Sequence, residues 1–230
     1  KGIQNLILNE INKLKKEKSD LFNNLHLHVN KKEINNFRLS IFRKLNNLKN
    51  IRLHYFKAVS PFIEMINGNE LVMQKNLNLS IQMPKDDESL LDIHADTWSG
   101  DSAYETVAWI PLVDCKDTKS MFILPANKYK RFNQILKKKN INDSKKLFEV
   151  LKKDLSWINI KYGQVLLFNQ TLPHGNIINN TKETRFSLNC RFKSIFSPYG
   201  DKKIGEFFEP ISLRPASKIG MNYKLPKIDN

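Results

Sequence analysis

Apolar residues recur at helical spacing through the first third of the chain and at strand spacing beyond it. Ile3, Leu6, Ile7, Ile11 and Leu14 form one stripe of period 3.6. Phe37, Ile41, Leu45 and Leu48 form a second, and Leu53, Phe56, Val59 and Ile63 a third. Pro61 is expected to kink or restart that third segment, and Gly68 to end it. At Asn76 the period changes to two. Asn76-Leu-Asn-Leu-Ser-Ile-Gln-Met83 alternates polar and apolar without a break, as a strand with two unlike faces does. Leu90–His94, Glu105–Leu112, Met121–Leu124, Ile158–Lys161, Val165–Phe168, Gly175–Ile178 and Arg185–Phe196 follow as further strand candidates. Eight short strands separated by turn residues predict an antiparallel sandwich or jelly roll, hence an α+β chain. Residues 127–156 interrupt the series with a Lys-rich helical insertion, whose Leu147, Val150 and Leu151 make a small apolar stripe.

The expected organisation is one structural domain. Residues 1–75 are helices packed on a core, residues 76–200 are the β core with its insertion, and residues 201–230 are a tail with little regular structure. The 230 residues carry 40% hydrophobic side chains, enough to bury a sizeable core, which excludes wholesale disorder. No apolar run approaches the roughly 18–20 residues of a membrane span. The opening Lys-Gly-Ile-Gln does not match a secretory signal, and two cysteines are too few for a disulfide framework. A cytoplasmic setting is therefore expected, without a membrane partner. The N-terminal helices and the tail offer apolar surface for a homodimer.

A formal net charge of +15 raises the possibility of nucleic-acid binding. The charge is unevenly placed: residues 76–126 hold three basic and nine acidic side chains, against an excess of bases everywhere else. The Lys residues lie in Asn-rich, helix-like stretches without interleaved stacking aromatics, so they read as solvated faces, and no nucleic-acid partner is expected.

The candidate chemistry starts at His94-Ala95-Asp96. On an extended segment, residues i and i+2 point the same way, so an imidazole and a carboxylate converge from one short stretch. Alone, such a pair is an ordinary hydrogen-bonded strand end. His174, in Leu172-Pro-His-Gly-Asn176, adds a second imidazole beside a predicted strand, and two His with one carboxylate make the facial triad of non-haem iron sites. His26, His28 and His54 fall in the helical region and read as surface or packing residues. Beyond His174, the strand opening at Arg185 places Arg185, Ser187, Asn189 and Arg191 on one face and Phe186, Leu188, Cys190 and Phe192 on the other. Two guanidiniums facing a core are costly unless they meet an anion, which a guanidinium binds through two parallel hydrogen bonds. A salt-bridged strand on a solvated face is the plainer alternative.

His94-x-Asp96, His174 and Arg185-x-Ser187, in this order on a strand-rich chain, resemble the Fe(II)/2-oxoglutarate-dependent oxygenases. The phytanoyl-CoA-dioxygenase-like branch is the most similar, and within it the StrG-like proteins of streptomycin biosynthesis and carbohydrate gene clusters. The stretches carrying this finer resemblance are His94-Ala-Asp-Thr-Trp-Ser-Gly-Asp-Ser102, Trp109-Ile-Pro-Leu-Val-Asp114, Leu172–Asn176 and Phe192-Lys-Ser-Ile-Phe-Ser-Pro-Tyr-Gly200. The resemblance covers roughly residues 76–225. It implies a double-stranded β-helix of the cupin type, with His94, Asp96 and His174 as catalytic metal ligands for Fe(II). It also implies 2-oxoglutarate held at its far carboxylate by Arg185 and Ser187, with O2 as co-reactant. The implied reaction is oxidative decarboxylation of 2-oxoglutarate coupled to hydroxylation, or a related oxidation, of a carbohydrate-derived small molecule such as a sugar, nucleotide sugar or aminocyclitol. The carboxylate of Asp96 argues against halogenation, because related halogenases carry a small residue there.

Gln82 and Asn189 are candidates for hydrogen bonds to the cosubstrate. Trp98, Asp101, Tyr104, Glu105, Trp109 and Arg191 are candidates for substrate contact, since aromatic and carboxylate groups together suit a polyhydroxylated ring or its amines. Two other functions fit parts of the pattern: a cupin-type metal-dependent isomerase or epimerase with no cosubstrate, and a non-enzymatic basic binding module.

Overall fold

The computed structural model describes residues 4–5, 21–138, 141 and 143–226. The first helical stripe, Ile3 to Leu14, lies outside the described residues. Helices α1 (Ile34–Asn46) and α2 (Ile51–Asn67) come first. They are followed by β1 (Leu71–Gln74), β2 (Asn78–Gln82), β3 (Thr106–Pro111) and β4 (Phe122–Ile123). The insertion forms α3 (Tyr129–Lys138) and α4 (Ser144–Leu151). Then come β5 (Ser156–Trp157), β6 (Leu166–Asn169), β7 (His174–Gly175), β8 (Arg185–Ser194), β9 (Phe208–Ser212) and α5 (Pro215–Asn222). No helix among the described residues is long and apolar enough to cross a membrane.

Two antiparallel sheets result. The larger runs β6-β3-β8-β1-β9, with β2 also paired to β8; the smaller runs β5-β4-β7. Strand β8 organises the larger sheet. One of its edges takes β3, from Thr106 opposite Phe192 to Pro111 opposite Ser187. The other takes β2 and then β1, with Asn78 opposite Asn189 and Met73 opposite Phe192. Both faces of β8 are covered. Its apolar face meets the N-terminal region: Phe186 lies edge-on to Phe22 at 4.8 Å, and Phe192 meets Tyr55 and Phe56 at 6.3 and 6.2 Å. The Tyr55 hydroxyl donates to the Ala108 carbonyl at 2.7 Å, which satisfies a buried polar atom that α2 brings into this layer. The polar face of β8 turns to the space between the sheets.

Several elements depart from the sequence reading. Helix α2 passes through Pro61 without a break. Pro61 and Lys57, whose carbonyl loses its donor, are both on the exposed side, so water can hydrate that oxygen. The buried stripe of α2 is Ile51, Tyr55, Phe56, Val59 and Ile63, while Leu53 is exposed. Strand pairing starts at Leu71, upstream of the predicted Asn76, in an apolar run without alternation. Leu90–His94 is not a strand: Leu91 gives its backbone groups to one residue, its N–H donating to Asn176 Oδ1 at 2.6 Å and its carbonyl accepting from Asn176 N–H at 2.9 Å, and only His94 bridges to His174. The candidates at Ile158–Lys161 and Gly175–Ile178 give way to shorter strands upstream, Ser156–Trp157 and His174–Gly175, with Ile160 making a lone bridge to Cys115. The tail carries regular structure after all. Strand β9 closes the sheet edge with Pro210 opposite Val72, a place where the missing N–H is tolerated, and α5 follows it. The insertion is helical as expected and makes its own small core from Phe132, Leu147 and Leu151 against Ile93, Phe122 and Leu124.

Candidate active site

His94 and His174 face each other as cross-strand partners. Each donates its backbone N–H to the other's carbonyl, at 2.9 and 2.8 Å, and their ring centroids are 4.5 Å apart. Gly175 makes this approach possible: a Cβ there would sit 2.6 Å from the Leu91 carbonyl and 2.9 Å from the Phe122 ring. Asp96, two residues beyond His94 and at the start of a 3₁₀ turn, points back to the same place. Its Oδ1 lies 3.5 Å from His94 Nε2 and its Oδ2 4.0 Å from His174 Nε2. One ligand atom from each of the three residues falls within a 4.8 Å span, the only such group among the described residues.

The local chain also sets the imidazole tautomers. His94 Nδ1 meets the Asp92 carbonyl at 2.7 Å, and His174 Nδ1 meets the Leu172 carbonyl at 2.9 Å. A carbonyl can only accept, so each Nδ1 carries the proton and each Nε2 offers its lone pair to the centre. Burial lowers the pKa of His174 below its usual 6.5, keeping it neutral. Burial also pulls on His94, but the Asp96 carboxylate and the Asp92 carbonyl outweigh it, and its pKa is raised. For Asp96 itself, burial is overridden by His94, Arg191 and His174, which hold the carboxyl at about 2.

The polar face of β8 lines this centre in order. Arg191 Nη2 lies 3.2 Å from Asp96 Oδ1, while its Nε lies 3.3 Å from Asp101 Oδ1 and donates to Gln170 Oε1 at 3.2 Å. Asn189 comes next. Arg185 closes the far end, fully buried, donating to the Ser120 carbonyl at 3.0 Å and to Ser80 Oγ at 2.9 Å. Among the described residues no carboxylate pairs with it, and its Nε has no partner. Burial without a counter-charge brings its pKa from 12.5 down to about 10. Ser187 Oγ, Ser120 Oγ and Gln82 Oε1 are likewise buried without partners.

Two adjoining cavities share His174, Ser80 and Asn189. One, of about 550 Å³, holds His94, Asp96 and Arg191 in its wall; the other, of about 70 Å³, runs to Arg185 and is walled by Trp109. Of the residues singled out in the sequence, these cavities gather His94, Asp96, His174, Arg185, Asn189, Arg191 and Trp109. The rest stand elsewhere. Ser187 and Gln82 lie in the β2–β8 layer beside Arg185, with the Gln82 amide donating to the Ile177 carbonyl at 2.7 Å. Asp101 and Glu105 are buried behind the triad: Asp101 pairs with Arg191 and Lys202, and Glu105 accepts from Ser102 N and the Gln170 amide. Trp98 and Tyr104 are more than half exposed outside both cavities, with Trp98 stacked on Phe132 of α3.

The sequence reading missed the outer wall. Asn35, Arg38 and Phe42 of α1 and Glu88 and Ser89 of the loop after β2 line the larger cavity. Their spacing on α1 puts them on one helical face, but nothing in it distinguishes that face from a solvated one.

No family profile and no curated protein matches the chain. Solved structures do. AviO1 from Streptomyces viridochromogenes Tue57 aligns with a TM-score of 0.50 at 14% identity, over 68% of this chain and 67% of its own. HygX from Streptomyces hygroscopicus, with nickel and 2-oxoglutarate bound, gives 0.49 at 15% identity over 76% and 82%. The ThoJ non-heme monooxygenase–nickel complex gives 0.47 at 15%, and this chain spans about half of it, 54%. The likeness to AviO1 is one of fold.

Proposed function

We propose that this chain is a non-haem Fe(II)/2-oxoglutarate-dependent oxygenase whose two sheets are those of a double-stranded β-helix. The observation that carries the reading is the buried Arg185, without a carboxylate partner among the described residues, at the end of the smaller of two cavities that adjoin at His174 of a His-Asp-His cluster. Either feature alone has a structural explanation; together they fit a ligand that carries a metal-binding group at one end and a carboxylate at the other. The donor set fits Fe(II): two imidazoles and one carboxylate leave coordination positions open. Bound Fe(II), with 2-oxoglutarate and O2, would supply the oxidising chemistry.

The chain's own residues divide the remaining work. His94, Asp96 and His174 would hold the metal, their lone pairs aimed by the Asp92 and Leu172 carbonyls. Arg185 and the unpartnered Ser187 hydroxyl, with Ser80 opposite it on β2, would grip the cosubstrate's far carboxylate, and this offsets the cost of the buried guanidinium. Arg191 neutralises Asp96 and keeps its carboxylate ionised. Phe168 and Val107 form apolar wall beside the triad and limit water there. The outer wall of amides, hydroxyls, Arg38 and Glu88, with the Phe42 ring, suits a small molecule rich in hydroxyl groups, which supports a carbohydrate-derived substrate.

The test is anaerobic thermal-shift and calorimetric titration. Fe(II) is expected to stabilise the wild type, 2-oxoglutarate to add to this only with metal present, and Asp96→Ala to lose both effects. Under O2 the wild type should form succinate. A panel of sugars, nucleotide sugars and aminocyclitols then identifies the substrate class. Metal binding without any effect of 2-oxoglutarate would leave the cosubstrate-free isomerase reading instead.

A further inference from the structure

The amide of Asn189 has a direction, and it can be traced to a charge two residues away. Arg191 Nη1 faces Gln74 Oε1 at 3.4 Å. A guanidinium only donates, so Gln74 must turn its oxygen toward Arg191 and its nitrogen away. Gln74 Nε2 then donates to Asn78 Oδ1 at 3.1 Å, and Asn78 Nδ2 donates to Asn189 Oδ1 at 2.8 Å. Each amide accepts at one end and donates at the other, so the direction set at Arg191 passes unbroken through β1 and β2 to β8. Asn78 sits directly opposite Asn189 in the strand register. What remains is Asn189 Nδ2, which meets no protein acceptor among the described residues, in a side chain that lines both cavities. Gln74 is buried, so reversing the chain would set N–H against N–H with no water to intervene. The same guanidinium orders a second amide in the same sense: Arg191 Nε donates to Gln170 Oε1, and Gln170 Nε2 donates to Glu105, a carboxylate that accepts.

We propose that Arg191, Gln74 and Asn78 are positioning residues that fix the Asn189 amide as a hydrogen-bond donor into the space between the metal triad and Arg185, so that this point selects a carboxylate or carbonyl oxygen of the bound ligand. The choice of 2-oxoglutarate as probe rests on the oxygenase reading; the relay itself does not.

Gln74→Glu tests it at a distance. The new carboxylate still accepts from Arg191 but cannot donate to Asn78. Asn78 then turns its nitrogen toward residue 74, and Asn189 turns its oxygen into the cavity. Neutron diffraction of wild-type and Gln74→Glu crystals reads the two orientations directly. Calorimetry on Mn(II)-loaded protein should show 2-oxoglutarate binding about tenfold weaker or worse in Gln74→Glu. Gln74→Met, which breaks the relay without reversing it, should weaken binding less, an ordering that a purely structural role does not produce. In an Asn189→Ala background, Gln74→Glu should change affinity by less than about twofold. The proposal is overturned if Asn189 keeps one orientation in both crystals, or if the loss of affinity is undiminished in the Asn189→Ala background. Reversed amides in a metal-loaded protein that does not bind 2-oxoglutarate would uphold the relay and sink the oxygenase reading.

Discussion

Replacing Arg185 with Met should make the ligand-free protein more stable while destroying its response to 2-oxoglutarate. Arg185 is a cation in the interior with no carboxylate partner among the described residues, and its pKa falls from 12.5 to about 10. That depression corresponds to a cost of about 3 kcal/mol for the charged form in the folded state. Because the folded pKa lies below the unfolded one, the cost is full at neutral pH. It disappears only as pH rises through the interval between the two values. Met removes the charge and fills similar volume, but the Ser120 carbonyl and Ser80 hydroxyl lose their donors, at about 1 kcal/mol or more each. The net gain is at most about 1 kcal/mol, or a rise in Tm of roughly 2–4 °C for a chain of this size. Differential scanning calorimetry of apo wild type and Arg185→Met measures it, and the same scans with Mn(II) and 2-oxoglutarate measure the lost ligand effect. A destabilised variant would show that the guanidinium serves the fold. A variant still stabilised by 2-oxoglutarate would remove Arg185 from the ligand site.

Gly175→Ala should lower both Tm and metal affinity, the latter by tenfold or more, because the added methyl meets the Leu91 carbonyl and pushes β7, with His174, away from His94; Mn(II) titration followed by electron paramagnetic resonance checks this, and wild-type affinity would refute it. The thiols of Cys115 and Cys190 are pushed up by burial to about 11 and about 12, so neither should react with a disulfide reagent at pH 8 until the protein is denatured. Since both pKa values exceed that of an ordinary thiol, unfolded thiols ionise first and stability should decline as pH rises above about 9.

How much of this was legible beforehand depended on whether a signal was local. The two-residue alternation of Arg185–Arg191 defines both faces of β8, because a strand buried on two unlike sides must write each side at its own parity. The convergence of His94 and Asp96 followed from the same geometry over two residues. What failed needed distant information. Leu71–Gln74 does not alternate, since both its faces are buried. Leu90–His94 alternates weakly but gives its hydrogen bonds to Asn176, which the local pattern cannot announce. Trp98 and Tyr104 follow the His-x-Asp motif directly, yet the 3₁₀ turn after Asp96 rotates them outward. The cavity wall from α1 was invisible because a helix face that lines a wet cavity has the composition of one that lines bulk water.

That wall has a consequence for how such a protein can change. His174 and Arg185 come from strands β7 and β8, and His94 and Asp96 from the segment bridged to β7, whereas Asn35, Arg38 and Phe42 come from a single helix encoded tens of residues upstream. The buried centre and the outer wall are thus written in separate stretches of the gene. Swapping those letters of one helix would reshape the mouth of the larger cavity while the buried centre stays as it was.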